Sequence, residues 1–443
     1  MKRLTLFAYL LCLSVLPLRA QAAIYILIDQ FSPEHKFPIA VADLVEKKSG
    51  QADAQGVEIA DLLRKNLKLA GYFDIVDKAN YQDRSAALKP EEVDFGLWTA
   101  TGATVFVKGG YQKKGKNLVI EFRLYDPNLK QMLVGKEYKV PQDKAYAAVH
   151  RFADEILLAL TGERGIFNTK IAAACGPRGK EQLVLMNVDG SEREPLTKNN
   201  AMNLSPTWAP DGGQLVFTSY AKFFPELYSI SVKGGKPKRL TFNNKLNITP
   251  SYAPDGSTVA FSSSMAGDPD LYLIDPQSQQ TTQITRSPGI DISPSFSPDG
   301  NLIAFASEQA GNLHIFVTDK TGAAPKRLTF TGYQNDTPEW SPRGDKIAYV
   351  KRADGGFNVF LMNADGSVPQ QLTSGAGNNE NPAFSPDGRY IAFSSSRNKG
   401  SNLFLMMWDG SNQTAITSDG QCKTPDWSNW LEETKKNEKE KKD

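Results

Sequence analysis

Histidine, cysteine and long apolar runs are what this chain has least of. Its 443 residues include three histidines, His35, His150 and His314, and three cysteines, Cys12, Cys175 and Cys422. The histidines fall in separate elements, whereas a hydrolytic or metal site needs convergent partners, so His150 and His314 read as structural. The chain contains no Gly-x-Ser-x-Gly elbow, no Cys-x-x-Cys, no phosphate-binding glycine loop and no zinc-spaced histidine pair. Serine-hydrolase, thiol-redox, nucleotide and zinc chemistry therefore lack their sequence signatures, and neither a cofactor nor a metal is implied. Charge of one sign is lacking too: 51 Lys and Arg face 49 Asp and Glu. A near-neutral chain gives no electrostatic case for nucleic acid. The one long apolar run, Leu4 to Leu18, is too short to span a bilayer. Lys2 and Arg3 precede it and Ala20-Gln21-Ala22 follows, so residues 1–22 read as a secretory signal peptide. Cys12 lies within that run with no small residue before it, which argues against a lipoprotein attachment site. Removing the leader removes Lys2, Arg3 and Arg19 and no acid, taking the formal charge from +2 to −1. The mature chain has no further segment able to span a membrane as a helix.

What the chain does have is a repeat. Ser293-Pro294-Ser295-Phe296-Ser297-Pro298-Asp299-Gly300 precedes Ile303-Ala304-Phe305, and the pattern returns with leading prolines at 206, 250, 294, 338 and 382, spaced by 44. A truncated copy begins at Pro425. Fixed self-similarity at this period means one supersecondary unit stacked on its copies. Each unit reads as four short strands: the Pro-aromatic stretch, the Ile-Ala-Phe stretch after a Ser-Pro-Asp-Gly turn, a third such as Leu271 to Ile274, and a fourth marked by Leu240-Thr241, Ile284-Thr285, Leu328-Thr329 and Leu372-Thr373. Four strands per unit match a propeller blade. The aromatics Trp208, Tyr252, Phe296, Trp340, Phe384 and Trp427 hold one place in every copy, which points to blade-on-blade packing. The last copy has only its first strand; the missing ones stand upstream at Lys170–Ala174, Gln182–Met186 and Leu196-Thr197. The expectation is a six-bladed ring over residues 170–430, closed by pairing its C-terminal strand with its N-terminal strands. The Asp of each Asp-Gly turn (Asp211, Asp255, Asp299, Asp387) is turn chemistry, since Arg343 replaces it in the fourth blade.

Residues 23–161 read as a separate α/β N-terminal domain. Ile24 to Ile28, Pro38 to Val41 and Phe73 to Val76 are strands; Ile59, Leu62, Leu63, Leu67 and Ala70 share a helix face that ends at Gly71. A short helix is expected over Glu91 to Ala100, then a meander over Thr104–Tyr111, Leu118–Tyr125 and Met132–Val140, and a last helix over Lys144–Leu160. Residues 162–169 link to the ring, and residues 431–443, rich in Lys and Glu, read as a solvated, disordered tail.

The chemistry left is surface. Segments joining one blade's last strand to the next blade's first converge at one mouth of a propeller channel, and here they are rich in Asn with Asp291, Asp336 and Glu380 among them. Such a polar, mildly acidic rim suits docking of a protein or peptide, although Asn and Asp are also ordinary loop residues. Leader, α/β domain and six Pro-x-Trp-Ser-Pro-Asp-Gly/Ile-Ala-Phe repeats together resemble the TolB family of periplasmic Tol–Pal components, over essentially the whole mature chain. The resemblance implies a non-enzymatic, periplasmic, monomeric scaffold that serves envelope integrity and constriction at cell division. It also implies two protein partners: the peptidoglycan-associated lipoprotein Pal at the channel mouth and TolA at the mature N-terminus. The rim residues expected to hold Pal are Asn247, Thr249, Asp291, Asn335, Asp336, Asn379 and Glu380. The matching N-terminal segment is Ala23, Ile24, Tyr25, Ile26, Leu27, Ile28 and Asp29, which could equally be an ordinary first strand or a strand lent to a partner's sheet edge. The charged tail departs from the family pattern. Because this repeat also precedes peptidase domains, the alternative is a hydrolase or peptidase-related protein using the channel.

Cys175 and Cys422 are the only cysteines of the mature chain. Cys422 lies three residues before Pro425, as Asn379 does before Pro382; Cys175 lies four after Ile171, as Ser395 does after Ile391. In the fifth blade those places flank one hairpin, so at the closing seam the two cysteines are expected within disulfide reach. The expectation is a disulfide in an oxidising compartment, with two buried reduced thiols as the alternative.

Overall fold

Apolar alternation and glycine punctuation divide the chain into a mixed domain and a ring. The computed structural model describes residues 36–375 and 377–431. The leader, the strand expected over Ile24–Ile28, the segment Ala23–Asp29 and the tail beyond Leu431 lie outside the described residues.

In the first domain, β1 (Phe37–Val41), β2 (Val45–Glu46), β3 (Gln51–Ala52), β4 (Phe73–Ile75), β5 (Val105–Lys114), β6 (Asn117–Asp126) and β7 (Gln131–Pro141) share one sheet. Along one edge β5 pairs in parallel with β1 and β2; along the other it starts the antiparallel meander β5-β6-β7. Three helices complete the domain: α1 (Ala54–Leu69), α2 (Phe95–Thr99) and α3 (Ala145–Thr161). Asp53 caps α1 by accepting from the Gly56 N–H at 2.9 Å. The helix buries Ile59, Ala60, Leu63 and Leu67 against α3 and one sheet face. The other face holds a smaller aromatic cluster in which Trp98 stacks on Phe106 with centroids 4.5 Å apart. The short helix expected over Glu91–Ala100 is divided. A 3-10 turn covers Pro90–Glu92, Val93 is extended, and Asp94 accepts from the Gly96 N–H at 3.0 Å to start α2 afresh. The β2–β3 hairpin was not foreseen; four residues with little apolar content carry no periodic signal.

The ring has six four-stranded antiparallel blades. Blade one runs over Asn203–Arg239, two over Asn247–Gln283, three over Asp291–Arg327, four over Asn335–Gln371 and five over Asn379–Ala415, from innermost to outermost strand. Blade six pairs innermost Cys422–Trp427 with Lys170–Cys175, Gln182–Asn187 and Glu194–Pro195, so the two ends of the ring share a sheet. Each repeat aromatic reaches back to the preceding blade: Trp208 packs with Ala172 and Leu185, Tyr252 with Val216 and Leu227. The outermost strand is the one element shifted from expectation. It stops just before each Leu-Thr pair, at Lys238–Arg239, Thr281–Gln283, Lys326–Arg327 and Gln370–Gln371. The threonine has another task. Its Oγ1 accepts a backbone N–H in the first half of the third strand, as from Leu227 to Thr241 (3.0 Å), Leu271 to Thr285 (2.9 Å), Val359 to Thr373 (2.9 Å) and their equivalents in every blade. A side-chain acceptor thus replaces the ladder partner that a short outer strand cannot supply.

The domains share one core and polar contacts at one end of the ring. The C-terminal carbonyls of α1, orphaned as at any helix end, are taken up by the propeller: Tyr390 Oη donates to Ala70 O at 2.8 Å and Asn412 Nδ2 to Leu69 O at 3.0 Å. Gly71 follows at φ +83°, where a Cβ would stand 2.9 Å from Met407 Sδ, so the turn favours glycine. Arg389 pairs with Glu163 at 2.7 Å, and His150 lies buried, its Nε2 3.7 Å from Asp189 Oδ2. These partners stand on the Ser-Pro-Asp-Gly hairpins and the turns between third and fourth strands, so the opposite mouth is left free among the described residues.

Candidate docking channel

Six innermost strands line the axis, and each is bent in the same way. The residue before its proline has φ between +44° and +56°: Ser205, Thr249, Ser293, Thr337, Asn381 and Thr424. Register slips there in every blade, a bulge that turns the following Pro-x-aromatic half against the next blade. A left-handed non-glycine residue before proline is costly, and six copies mean the ring overrides local preference. Below the bulges the strands enclose a cavity of about 510 Å³.

The residue after each proline faces this cavity, and it differs by blade: Thr207, Ser251, Ser295, Glu339, Ala383 and Asp426. At Thr207, Ser295, Glu339 and Asp426 it joins neighbouring blades by a hydrogen bond. Asp426 accepts from the Trp208 N–H at 2.7 Å and Ser295 from the Trp340 N–H at 3.0 Å. Glu339 accepts from Ser295 Oγ at 3.2 Å. Burial pushes Glu339 up to about 8, with the Asp426 carboxylate adding to the rise, and burial pushes Asp426 up to about 7.

Nearer the free mouth stand the seven residues expected to hold a partner, and the structure separates them. Asn247, Asp291, Asn335 and Asn379 are fully buried at the start of their strands. Asn247 donates to Glu226 and Lys245 O and accepts from Ser263 Oγ at 2.8 Å, holding the blade-connecting loop. Asp291 accepts from Ser287 and Asn379 from Ser395, both at 2.7 Å; Asn335 donates to Thr331 O at 3.1 Å. Loop closure engages most of their polar groups, leaving Asp291 Oδ1 and Asn335 Oδ1 without a hydrogen bond, and full burial withdraws all four from the surface a partner would touch. Thr249, Asp336 and Glu380 remain partly exposed beside the bulge. Asp336 accepts from Ser293 Oγ at 3.0 Å, and burial raises its carboxyl above the usual range. Glu380 is raised by burial and then by the neighbouring Asp336.

Sequence reasoning missed the aromatics of this face. Tyr220, Phe223, Phe224, Phe242, Phe330 and Tyr333 all lie in loops at the free end, Phe223 at 91 % and Tyr333 at 83 % exposure. Arg239 covers Phe242 and Arg327 covers Phe330, with 4.8 Å and 5.1 Å from guanidinium to ring centre. Their signal was available as Leu-Thr-Phe at 240–242 and 328–330, where other blades continue with Lys, Arg or Ser. Cys175 and Cys422 are bonded and opposite one another in register, with Cα atoms 4.1 Å apart. Of the histidines, His314 is buried with Nδ1 3.2 Å from Thr329 Oγ1. Among the described residues no cluster of three or more His, Cys, Asp or Glu is placed to hold a metal ion, and no helix is long and apolar enough to cross a membrane.

An α/β domain fixed to one end of a six-bladed ring, with a channel and an aromatic-studded free mouth at the other, defines a two-domain propeller protein. The profile described as TolB beta propeller domain matches residues 158–431, and that of the TolB amino-terminal domain matches residues 25–133. The chain belongs to the TolB family. It is 35 % identical over 214 residues to the Tol-Pal system protein TolB of Syntrophotalea carbinolica, covering 48 % of this chain and 49 % of that one. It is 36 % identical over 183 residues to the protein of that name from Geobacter metallireducens, 41 % of this chain and 42 % of the relative. The matches thus span about half the length of these curated relatives or somewhat less. The crystal structure of TolB from Acinetobacter baumannii superimposes with a TM-score of 0.79 at 26 % identity, covering 90 % of this chain and 98 % of that one.

Proposed function

We propose that this protein is a non-enzymatic periplasmic scaffold of a Tol–Pal system. It binds a Pal-like lipoprotein at the free channel mouth and a TolA-like inner-membrane protein through Ala23–Asp29, in support of envelope integrity and constriction at division. The observation that carries the reading is the free mouth itself. Exposed aromatics stand along part of the channel entrance on the end away from the α/β domain, which no other described residue covers, the composition of a protein-binding face rather than of a solvated one. The two raised carboxyls in the cavity, Glu339 and Asp426, are what a channel hydrolase would use; that second reading requires turnover. The test is capture of purified Pal-like and TolA-like domains. Asp336→Lys with Glu380→Lys is expected to weaken Pal capture with the melting temperature nearly unchanged, and deletion of residues 23–29 to abolish TolA capture alone. Undiminished Pal binding by the double variant, or turnover lost in Glu339→Gln, overturns it.

A further inference from the structure

The residue two before each proline is the second residue of an innermost strand, at the free mouth next to the first residue that lines the cavity, and is partly exposed. Around the mouth these residues are Leu204, Ile248 and Ile292 on blades one to three, then Asp336, Glu380 and Lys423 on blades four to six. The mouth is therefore divided: one half apolar, the other charged. Lys423 offsets the acids only in part: its Nζ is engaged 2.7 Å from Glu181 Oε1, and although its charge pulls the Glu380 carboxyl down, burial and Asp336 keep that carboxyl above its usual range. Deeper in the channel the division continues, with hydroxyls at Thr207, Ser251 and Ser295 facing the carboxyls of Glu339 and Asp426. The exposed aromatics of the free face are also unevenly placed: Tyr220, Phe223 and Phe224 stand in a loop of blade one, Phe242 in the loop entering blade two, Phe330 and Tyr333 in the loop entering blade four, and none among the described residues of the mouth loops of blades five and six.

We propose that this mouth selects an amphipathic, cationic protein segment, whose apolar side chains lie over Leu204, Ile248 and Ile292 while a Lys or Arg reaches Asp336 and Glu380. The inference rests on the docking reading above and specifies its partner. Two neighbouring carboxyls that repel each other are relieved by a cation between them, and the apolar half excludes the water that would screen that contact. An acidic amphipathic segment makes the same apolar contact but meets repulsion at Asp336 and Glu380, so the division discriminates as well as attracts.

Short fluorescein-labelled peptides test this with the mature protein: one alternating leucine and lysine, one leucine and glutamate, one serine and lysine, read by fluorescence anisotropy. The leucine–lysine peptide is expected to bind, and each of the others about tenfold more weakly or worse. Asp336→Asn with Glu380→Gln should cost about tenfold for the leucine–lysine peptide and remove most of its salt dependence. Ile248→Thr with Ile292→Thr should weaken the same peptide while retaining its salt dependence; if that variant does not fold, the carboxyl pair decides alone. Equal binding of the leucine–glutamate peptide, or no loss in the carboxyl variant, overturns the proposal. Pal capture run alongside separates the readings. Capture that ignores both halves of the mouth sinks the divided mouth and leaves the scaffold; peptide selectivity without Pal capture does the reverse.

Discussion

Opening the seam of the ring should cost more than any single hydrogen bond in it. Cys175 and Cys422 join strands from opposite ends of the propeller, 247 residues apart. The same register pair in blades one, two and five is Asn203 with Ser219, Asn247 with Ser263 and Asn379 with Ser395, where the serine hydroxyl donates to the asparagine at 2.7, 2.8 and 2.7 Å. Blade six thus has a covalent bond where its neighbours have a hydrogen bond worth about 1 kcal/mol net. In the chain-entropy account a cross-link of that span restrains the unfolded chain by about 5 kcal/mol. Cys175→Ser with Cys422→Asn writes the repeat's own pair into the seam, so the expected loss is the difference, about 4 kcal/mol at most. The seam keeps other ties: Trp427 Nε1 donates to Thr169 Oγ1 at 2.7 Å and the Lys170 N–H to Ser428 Oγ at 2.9 Å. Part of the loss should therefore appear as local opening of residues 422–427 before the ring unfolds. Urea unfolding followed by tryptophan fluorescence measures the first effect, and amide exchange across 422–427 the second. Two titratable thiols per chain in unfolded, unreduced protein would refute the bond. A double variant with wild-type midpoint and wild-type exchange would refute the claim that covalent closure holds the seam.

Two further outcomes follow from buried polar groups. Glu339 and Asp426 are held near 8 and 7 in the folded chain, above their unfolded values of about 4.3 and 3.9. The folded state therefore binds protons that the unfolded state has released, so this contribution is full below about pH 4 and is lost as pH rises through about 7 to 8. Glu339→Gln should flatten the fall in urea midpoint over that window by about 1–2 kcal/mol, allowing for screening by channel water; an unchanged slope refutes the assignment. Thr373→Val removes the acceptor of the Val359 N–H and the donor to Asn358 Oδ1. It should cost about 1–3 kcal/mol in urea unfolding, and Thr373→Ser should restore most of that; equal losses in the two would show that packing, not the hydroxyl, is what matters.

Blade number, the joining of the chain ends in one blade and the packing role of Trp208 and its equivalents were legible because every blade meets the same physical demand with the same residues. The α/β domain was nearly as clear wherever apolar spacing was long, as in Ile59 to Leu67, and failed where it was short, as at β2, β3 and the Asp94 restart. The threonine at the end of each repeat was seen but misassigned: its spacing is that of a strand residue, and its work lies in a hydroxyl that composition does not distinguish from β propensity. The asparagines of the connecting segments were misassigned for a related reason. A loop residue that closes its own loop and one that greets a partner have the same chemistry, and only burial separates Asn247 from Thr249.

The mouth was hidden by the same regularity that disclosed the ring. Aligning the copies on their prolines draws attention to what recurs, yet a channel wall made of identical residues could not tell one partner from another. Discrimination has to reside where the copies differ while the backbone does not. The position two before proline meets that condition, since the bulge beside it recurs in all six blades while its side chains pass from Leu204, Ile248 and Ile292 to Asp336, Glu380 and Lys423. The position after proline meets it as well, from Thr207 and Ser251 to Glu339 and Asp426. No local propensity favours these changes, because each of the six strands has the same conformation whichever residue it carries. In a closed repeat the invariant positions account for stability and the variable inward ones for recognition, so a propeller's specificity is to be sought in the departures of its innermost strands from their own consensus.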